Sequence, residues 1–213
     1  MKIIALTDIH GRIDYPHHII TQVQRADLVL VAGDITNFGD REEAEQIIAK
    51  LRTWNEKILA VPGNCDRAGV SEILSSHKMN LHAATKIAEK VMFFGIGGSN
   101  KTPFHTPREY AEKEMTLLLA RFKKTPDVYR YLFVSHAPPY KTKLDKVFFG
   151  FHVGSKAIRK FIEDFQPDIV VCGHIHEARG VDYIGKTLII NPGAFPKHYA
   201  LIDFKETIHY ELY

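Results

Sequence analysis

The chain has 213 residues, with 28 Lys and Arg against 25 Asp and Glu for a formal charge of +3, and 45% of its residues are hydrophobic. That length fits one large domain with a sizeable core, and the composition excludes a disordered or low-complexity chain. So small a net charge does not argue for a nucleic-acid binder, while an anionic small substrate stays compatible with it.

The first predicted element is a short apolar strand, Ile3 to Thr7, followed at once by Asp8. The stretch is too short for the apolar region of a signal peptide or for a membrane span, so a cytoplasmic protein with no membrane partner is expected. Leu28 to Val31 is a continuous apolar run, as in strands buried on both faces. Ala44, Ile47, Ile48, Leu51 and Trp54 then share one helical face, with Asp40 as N-cap and Glu43 as its capping-box partner. Strands follow at Ile58 to Val61 and Val91 to Ile96. Thr106, Pro107 and Glu109 predict a helix that begins at Thr106. After a strand at Tyr131 to Val134, a helix carries Ala157, Ile158, Phe161, Ile162 and Phe165 on one face and ends near Gln166, because Pro167 disfavours helix before it. Ile169 to Cys172, Thr187 to Ile190, Tyr199 to Asp203 and Ile208 to Tyr213 are the last strands. The alternation predicts one mixed α/β domain over residues 1–213, with two sheets or one large mixed sheet. Cys65 and Cys172 are the only cysteines, and both adjoin candidate functional loops, so a reducing compartment and no disulfide are expected.

The chemistry lies in the loops at the ends of the strands. Thr7-Asp8-Ile9-His10-Gly11, Ala32-Gly33-Asp34, Pro62-Gly63-Asn64-Cys65-Asp66, Ser135-His136-Ala137-Pro138 and Gly173-His174-Ile175-His176 each come directly after one. In α/β folds ligands gather at the carboxyl ends of strands, so these five loops can converge. Asp8, His10, Asp34, Asn64, His136, His174 and His176 form a mixed oxygen and imidazole set, suited to Mn, Fe, Zn or Co. Seven donors exceed the need of one tetrahedral ion. With one bridging carboxylate they divide into two sites about 3.5–4 Å apart, the separation that clamps an in-line displacement at phosphorus.

In this order the segments resemble the calcineurin-like metallophosphoesterase superfamily, whose motifs read Asp-x-His, Gly-Asp, Gly-Asn-His-Asp/Glu, a lone His and Gly-His-x-His. The resemblance covers nearly the whole chain and is closest in style to small single-domain prokaryotic phosphodiesterases. It implies two packed mixed sheets flanked by helices on both outer faces. It also implies that Asp8, His10, Asp34 and His176 hold one divalent ion and Asp34, Asn64, His136 and His174 the other, with Asp34 as the bridge. The implied reaction is phosphoester hydrolysis of a small substrate by a hydroxide between the metals. Where most relatives have a His that protonates the leaving group, this chain has Cys65, so Cys65 and Asp66 are the candidate catalytic residues on the leaving-group side.

Two other readings compete. A scaffold protein that kept the fold would show eroded metal positions, and here all seven are occupied by competent side chains. A nuclease would need a groove or an added nucleic-acid module, and the chain offers neither. Homo-oligomerisation stays open. His17, His18, His77, His82 and His209 have no partner pattern and are expected to be surface or satisfied histidines. His105, His152 and His198 lie in loop-like segments where a structural role is favoured over a substrate contact. Lys141, Lys143 and Lys146 follow the His136 loop as a basic stretch, either solvated or set to draw in an anion. Gly97 to Lys101 is expected to be a plain connection, Asn191-Pro192-Gly193 a turn, and Cys172 a packing residue.

Overall fold

The computed structural model describes residues 1–213. Its first half alternates β1 (Lys2–Leu6), α1 (His17–Arg25), β2 (Leu28–Ala32), α2 (Arg41–Arg52), β3 (Ile58–Val61) and α3 (Ala68–Ser76). Then come β4 (Thr85–Ala88), β5 (Val91–Ile96), the short β6 (Ser99–Asn100) and β7 (Glu109–Tyr110), α4 (Glu112–Leu119), β8 (Arg130–Ser135) and α5 (Lys156–Phe165). The end is almost wholly strand: β9 (Ile169–Val171), β10 (Gly180–Ile184), β11 (Thr187–Asn191), β12 (Ala200–Phe204) and β13 (Ile208–Leu212).

These strands build a five-stranded sheet in the order β13-β12-β1-β2-β3 and a six-stranded sheet in the order β10-β11-β9-β8-β5-β4, both mixed. Side chains alternate across each strand, and the alternation assembles four layers. Ile3, Ala5, Leu28 and Leu30 face inward and pack with Phe93, Leu132, Val134, Ile169 and Val171 of the other sheet. Ile4, Leu6, Val29 and Val31 face outward and bury Ile19 and Val23 of α1, Ile47, Ile48 and Leu51 of α2, and Val70 and Leu74 of α3. On the opposite outer face, Phe94, Phe133 and Val170 pack with Met115 and Leu119 of α4 and Ile158, Ile162 and Phe165 of α5. The fold is therefore two packed sheets with helices on both outer faces, and the continuous apolar strands are buried on both sides for that reason.

All nine strands expected from the sequence are present to within a residue or two. The helix expected at Thr106 is not. Thr106 N–H and Oγ1–H both donate to Glu109 Oε1, at 2.8 and 2.7 Å, but they close a turn ahead of β7, and α4 starts only at Glu112. The helical start is instead marked by Glu114, which accepts from Ala111 N–H at 2.6 Å. Nor does the capping box of α2 form: Asp40 caps Arg41 N–H, while Glu43 reaches back past it to Asn37 N–H at 3.2 Å. The helices α1 and α3 escaped the sequence because neither has a side-chain N-cap and both are short. Gln166 ends α5 in the left-handed region, a common helix C-terminus, and so leaves the right-handed region that Pro167 disfavours before it.

Candidate metal centre

The strands β1, β2 and β3 run parallel, as do β5, β8 and β9, so the loops at their carboxyl ends meet at one edge of the sandwich. Those loops bring all seven candidate ligands together. His10 Nε2 lies 3.3 Å from His176 Nε2 and 3.7 Å from Asp34 Oδ2. His176 Nε2 is 3.3 Å from Asp8 Oδ1. On the other side, His136 Nε2 lies 3.4 Å from Asp34 Oδ1 and 2.8 Å from Asn64 Oδ1, and its ring meets that of His174 with centroids 5.2 Å apart. Asp34 thus stands between two groups of donors and presents a different carboxylate oxygen to each.

The backbone is bent to make this happen. Asp8, His10, Asp34 and His174 all have positive φ, at 55°, 49°, 48° and 69°. Asp and His are among the residues that tolerate this region, and such strain gathers at functional sites. Gly33, with φ of 93°, sits where a Cβ would collide with the His136 ring, so only glycine lets β2 approach that imidazole.

Second-layer contacts orient the donors. His136 Nδ1 is 2.7 Å from Ala32 O, which can only accept, so Nδ1 carries the proton. In the neutral ring Nε2 then presents a lone pair to two acceptor oxygens, Asn64 Oδ1 and Asp34 Oδ1. Asn64 cannot relieve this by turning over, because its Nδ2 donates to Thr106 Oγ1 at 3.1 Å and the Thr106 hydroxyl proton is committed to Glu109. A positive charge is required at that point, and a divalent cation fits the donor set. The His10 and His176 nitrogens face each other at 3.3 Å and, with Asp8 Oδ1 and Asp34 Oδ2, offer a second mixed oxygen and imidazole donor set. Asp8 is held by the Thr7 hydroxyl at 2.9 Å and by His174 N–H at 3.1 Å.

Titration follows the same pattern. Burial opposes charge on Asp34, yet His136 and His10 outweigh it and hold its carboxyl well below the usual range. Burial likewise pushes His136 down, but Asp34 and Asp8 reverse this and raise it to about 9. Burial, then His136, lowers His174 to about 4. His176 is raised, chiefly by its contact with Asp8.

The two residues expected on the leaving-group side part company. Cys65 is buried against the cluster: its Sγ lies within 4.8 Å of donor atoms of both His10 and Asp34, and its N–H donates to Asp34 Oδ1 at 2.8 Å. Burial and the Asp34 charge raise its thiol pKa. Asp66 is fully enclosed and accepts from Gly63 N–H, Ile35 N–H, Thr36 N–H and Thr36 Oγ1 at 2.7, 3.1, 2.8 and 2.7 Å. Its carboxylate ties the β2 and β3 loops together and presents no free oxygen to a leaving group.

Of the loop histidines, His105 is exposed, His198 Nδ1 lies 3.2 Å from Tyr213 O, and His152 Nδ1 lies 2.6 Å from the buried Asp145. None joins the ligand cluster. His82 is a satisfied histidine, accepting from Gly97 N–H at 2.9 Å and stacking on Tyr110. Cys172 packs in the outer core. Sequence reasoning missed Thr106, Glu109 and Asn191. Asn191 Nδ2 donates to Ile175 O at 2.9 Å and to Ala178 O at 3.3 Å, and so supports the His174–His176 loop. The Asn-Pro-Gly signal pointed to a turn, and a similar segment lies near the site in the family the chain resembles, but it did not show what the Asn191 amide holds.

Comparison with known proteins agrees with the geometry. The family model described as calcineurin-like phosphoesterase matches residues 1–178. An uncharacterized protein of Methanocaldococcus jannaschii is 45% identical over 212 residues, covering 98% of this chain and 94% of that protein. A probable glycerophosphodiester phosphodiesterase of Arcobacter nitrofigilis is 23% identical over 196 residues, covering 89% of this chain and 70% of that protein. Among solved structures, a dimetal phosphatase from Danio rerio shares the fold with a TM-score of 0.64 at 11% identity, covering 100% of this chain and 95% of that one.

Proposed function

The chain belongs to the calcineurin-like phosphoesterase family and is a metal-dependent phosphoester hydrolase, and from that premise we propose that it binds two divalent ions and hydrolyses small phosphoesters, phosphodiesters first. The carrying observation is Asp34, whose two carboxylate oxygens address His10 on one side and His136 on the other. Asp8, His10, Asp34 and His176 form one ligand set, and Asp34, Asn64, His136 and His174 the second. When bound, the ions supply an activated water and neutralise charge developing at phosphorus.

The chain's own residues prepare that site. Ala32 O fixes the His136 tautomer, Thr106 and Glu109 fix the Asn64 amide, and Thr7 fixes Asp8. Asp66 is a positioning residue, since every bond it makes is to the loops that carry Asp34 and Asn64. Cys65 occupies the place on the leaving-group side, and a thiol is a weaker proton donor there than an imidazole tuned near neutrality. The likeness to a probable glycerophosphodiester phosphodiesterase supports the diester preference. The apolar layer shared between the sheets supports one domain over residues 1–213.

Metal analysis of the purified protein, run beside a hydrolysis panel of phosphomonoesters, phosphodiesters, cyclic nucleotides and nucleic acid, tests this. Two ions per chain are expected, with small diesters cleaved fastest and Asp34→Asn losing metal and most activity. One ion under metal-replete conditions together with a fully active Asp34→Asn refutes it.

A further inference from the structure

The chain has 13 phenylalanines. Five of them reach solvent, Phe148, Phe149 and Phe151 at 88%, 81% and 70% exposure, Phe104 at 81% and Phe38 at 48%. All five lie on loops that follow strands, and the loops after β2 and β8 also carry candidate ligands. Phe38 follows β2, Phe104 follows β6, and the other three lie in the loop between β8 and α5, downstream of His136. The last two loops are joined, since Asn100 Nδ2 donates to Val153 O at 3.0 Å. Scattered exposed apolar residues such as Ile87, Leu117, Tyr129 and Tyr183 need no explanation, but three phenylalanines exposed together on one short loop mark a contact surface.

The β8 loop is built as a finger on a fixed base. Buried Asp145 accepts from Lys141 N–H, Thr142 N–H and Gly154 N–H at 3.0, 2.8 and 3.1 Å, which locks both feet of the loop. Above it, Lys146 and His152 form an antiparallel bridge, and Val147 N–H donates to Phe151 O at 3.1 Å. Gly150 turns the tip with φ of 81°, and nothing lies within 4 Å of where its Cβ would be. The phenylalanines on this tip have no protein surface to rest on.

Charge identifies what they rest on. The β5 and β8 loops carry Lys101, Arg108, Lys141, Lys143 and Lys146, and their only acidic residues, Glu109 and Asp145, are turned inward to hydrogen bonds. None of the four lysines is ion-paired. Protein–protein interfaces are depleted in Lys, whereas membrane-surface elements combine Lys with Phe. Anionic headgroups attract such lysines, and the aromatic side chains enter the boundary between headgroups and acyl chains.

We propose that this face docks on an anionic lipid surface, with Phe148, Phe149 and Phe151 entering the interface and Lys141, Lys143 and Lys146 meeting headgroup phosphates. Docking in this way needs no spanning helix, and none of the helices is long and apolar enough to cross a membrane. It departs from the absence of a membrane partner expected from the sequence, an expectation drawn from an N-terminal apolar stretch too short for a signal peptide or a span. Binding of this kind sets the metal centre over phosphoesters held in the surface, and it stands independently of the two-ion reading.

Co-sedimentation with vesicles of phosphatidylcholine alone, and of phosphatidylcholine mixed equally with phosphatidylglycerol, tests the proposal. Wild type is expected to sediment with the mixed vesicles, less so as salt rises. The triple variant Phe148→Ser, Phe149→Ser, Phe151→Ser is expected to lose about tenfold or more of that binding while still cleaving a soluble aryl phosphate ester at the wild-type rate. Lys143→Glu with Lys146→Glu should remove the preference for anionic vesicles. A separate probe, Phe149→Trp, should show blue-shifted emission on adding mixed vesicles. The proposal is overturned if wild type stays in the supernatant with both vesicles, if the triple variant binds as well as wild type, or if Trp emission is unmoved. A concentration-dependent dimer abolished by the triple variant, with no vesicle binding, overturns it in favour of a self-interface.

Discussion

Replacing Thr106 by Val removes one hydroxyl and keeps the shape of the side chain, yet it should weaken metal binding several residues away. Thr106 Oγ1 accepts from Asn64 Nδ2 at 3.1 Å and donates to Glu109 Oε1 at 2.7 Å, so the hydroxyl's direction dictates which end of the Asn64 amide faces His136. Although burial pushes Glu109 up, the bonds from Thr102 and Thr106 hold its carboxyl down at about 2, and so it is a committed acceptor at neutral pH. In Thr106→Val the Asn64 amide donor is left buried with only the Cys65 sulfur at 3.6 Å nearby, at a cost of about 1–3 kcal/mol. Rotation of the amide relieves that cost in the metal-free protein by letting Nδ2 donate to His136 Nε2, and it takes Oδ1 away from the position a metal ligand would need. Loss of an orienting contact of this kind lowers metal affinity by about 10–100-fold. The assay is titration of apoprotein with Mn or Zn by calorimetry or chelator competition, in the native and the Asn64→Asp backgrounds. A carboxylate offers oxygen at either end, so Thr106→Val should cost less than about threefold in Asn64→Asp. Equal losses in both backgrounds, or none in the native one, refute the orienting role.

Because Asp8, Asp34, Asn64 and His136 are buried around a point that demands positive charge, metal should stabilise the fold: at a hundred times Kd the gain is about 2.7 kcal/mol, or roughly 5–10 °C in Tm for a chain of this size, read by thermal melts before and after chelation. Cys65→His should speed hydrolysis of esters with poor leaving groups, with about 10²–10⁴-fold as the scale set by general acid catalysis, and leave activated aryl esters nearly unchanged; no difference across a graded aryl series assigns proton donation elsewhere. Burial, then Arg108, lowers His82 from 6.5 to about 4. Its unfolded form therefore binds a proton first, and stability that is full above pH 6.5 is lost as pH falls toward 4, by roughly 1–3 kcal/mol. Denaturant titration at pH 7 and pH 5 should show a smaller drop for His82→Gln, which can still accept from Gly97 N–H.

The candidate ligands were legible in the sequence because each is a local event: a strand ends, and a residue with a metal-binding side chain comes within a few positions. Asp8, His10, Asp34, His174 and His176 needed no knowledge of the other loops to be noticed, and five such events after apolar strands already implied a shared edge. The strands themselves were legible for a related reason, since burial on both faces leaves an unbroken apolar run whatever the partners are. What required the tertiary structure is everything that depends on which distant group a polar side chain meets. Thr106 and Glu109 make the hydrogen bonds of a helix start, and only the approach of the Asn64 loop turns them into the support of a ligand. Asp66 reads as a motif member next to the chemistry, but the backbone N–H groups of Gly63, Ile35 and Thr36 close around it and consume its oxygens. Exposure is likewise a property of the assembled surface. Phe94 and Phe133 are the same residue type as Phe148 and Phe149, and packing against α5 rather than sequence pattern decides that the first pair forms core and the second pair stands in solvent. Short-range spacing fixes what a residue can do, and the long-range contacts that cancel or satisfy its polar atoms determine what it does.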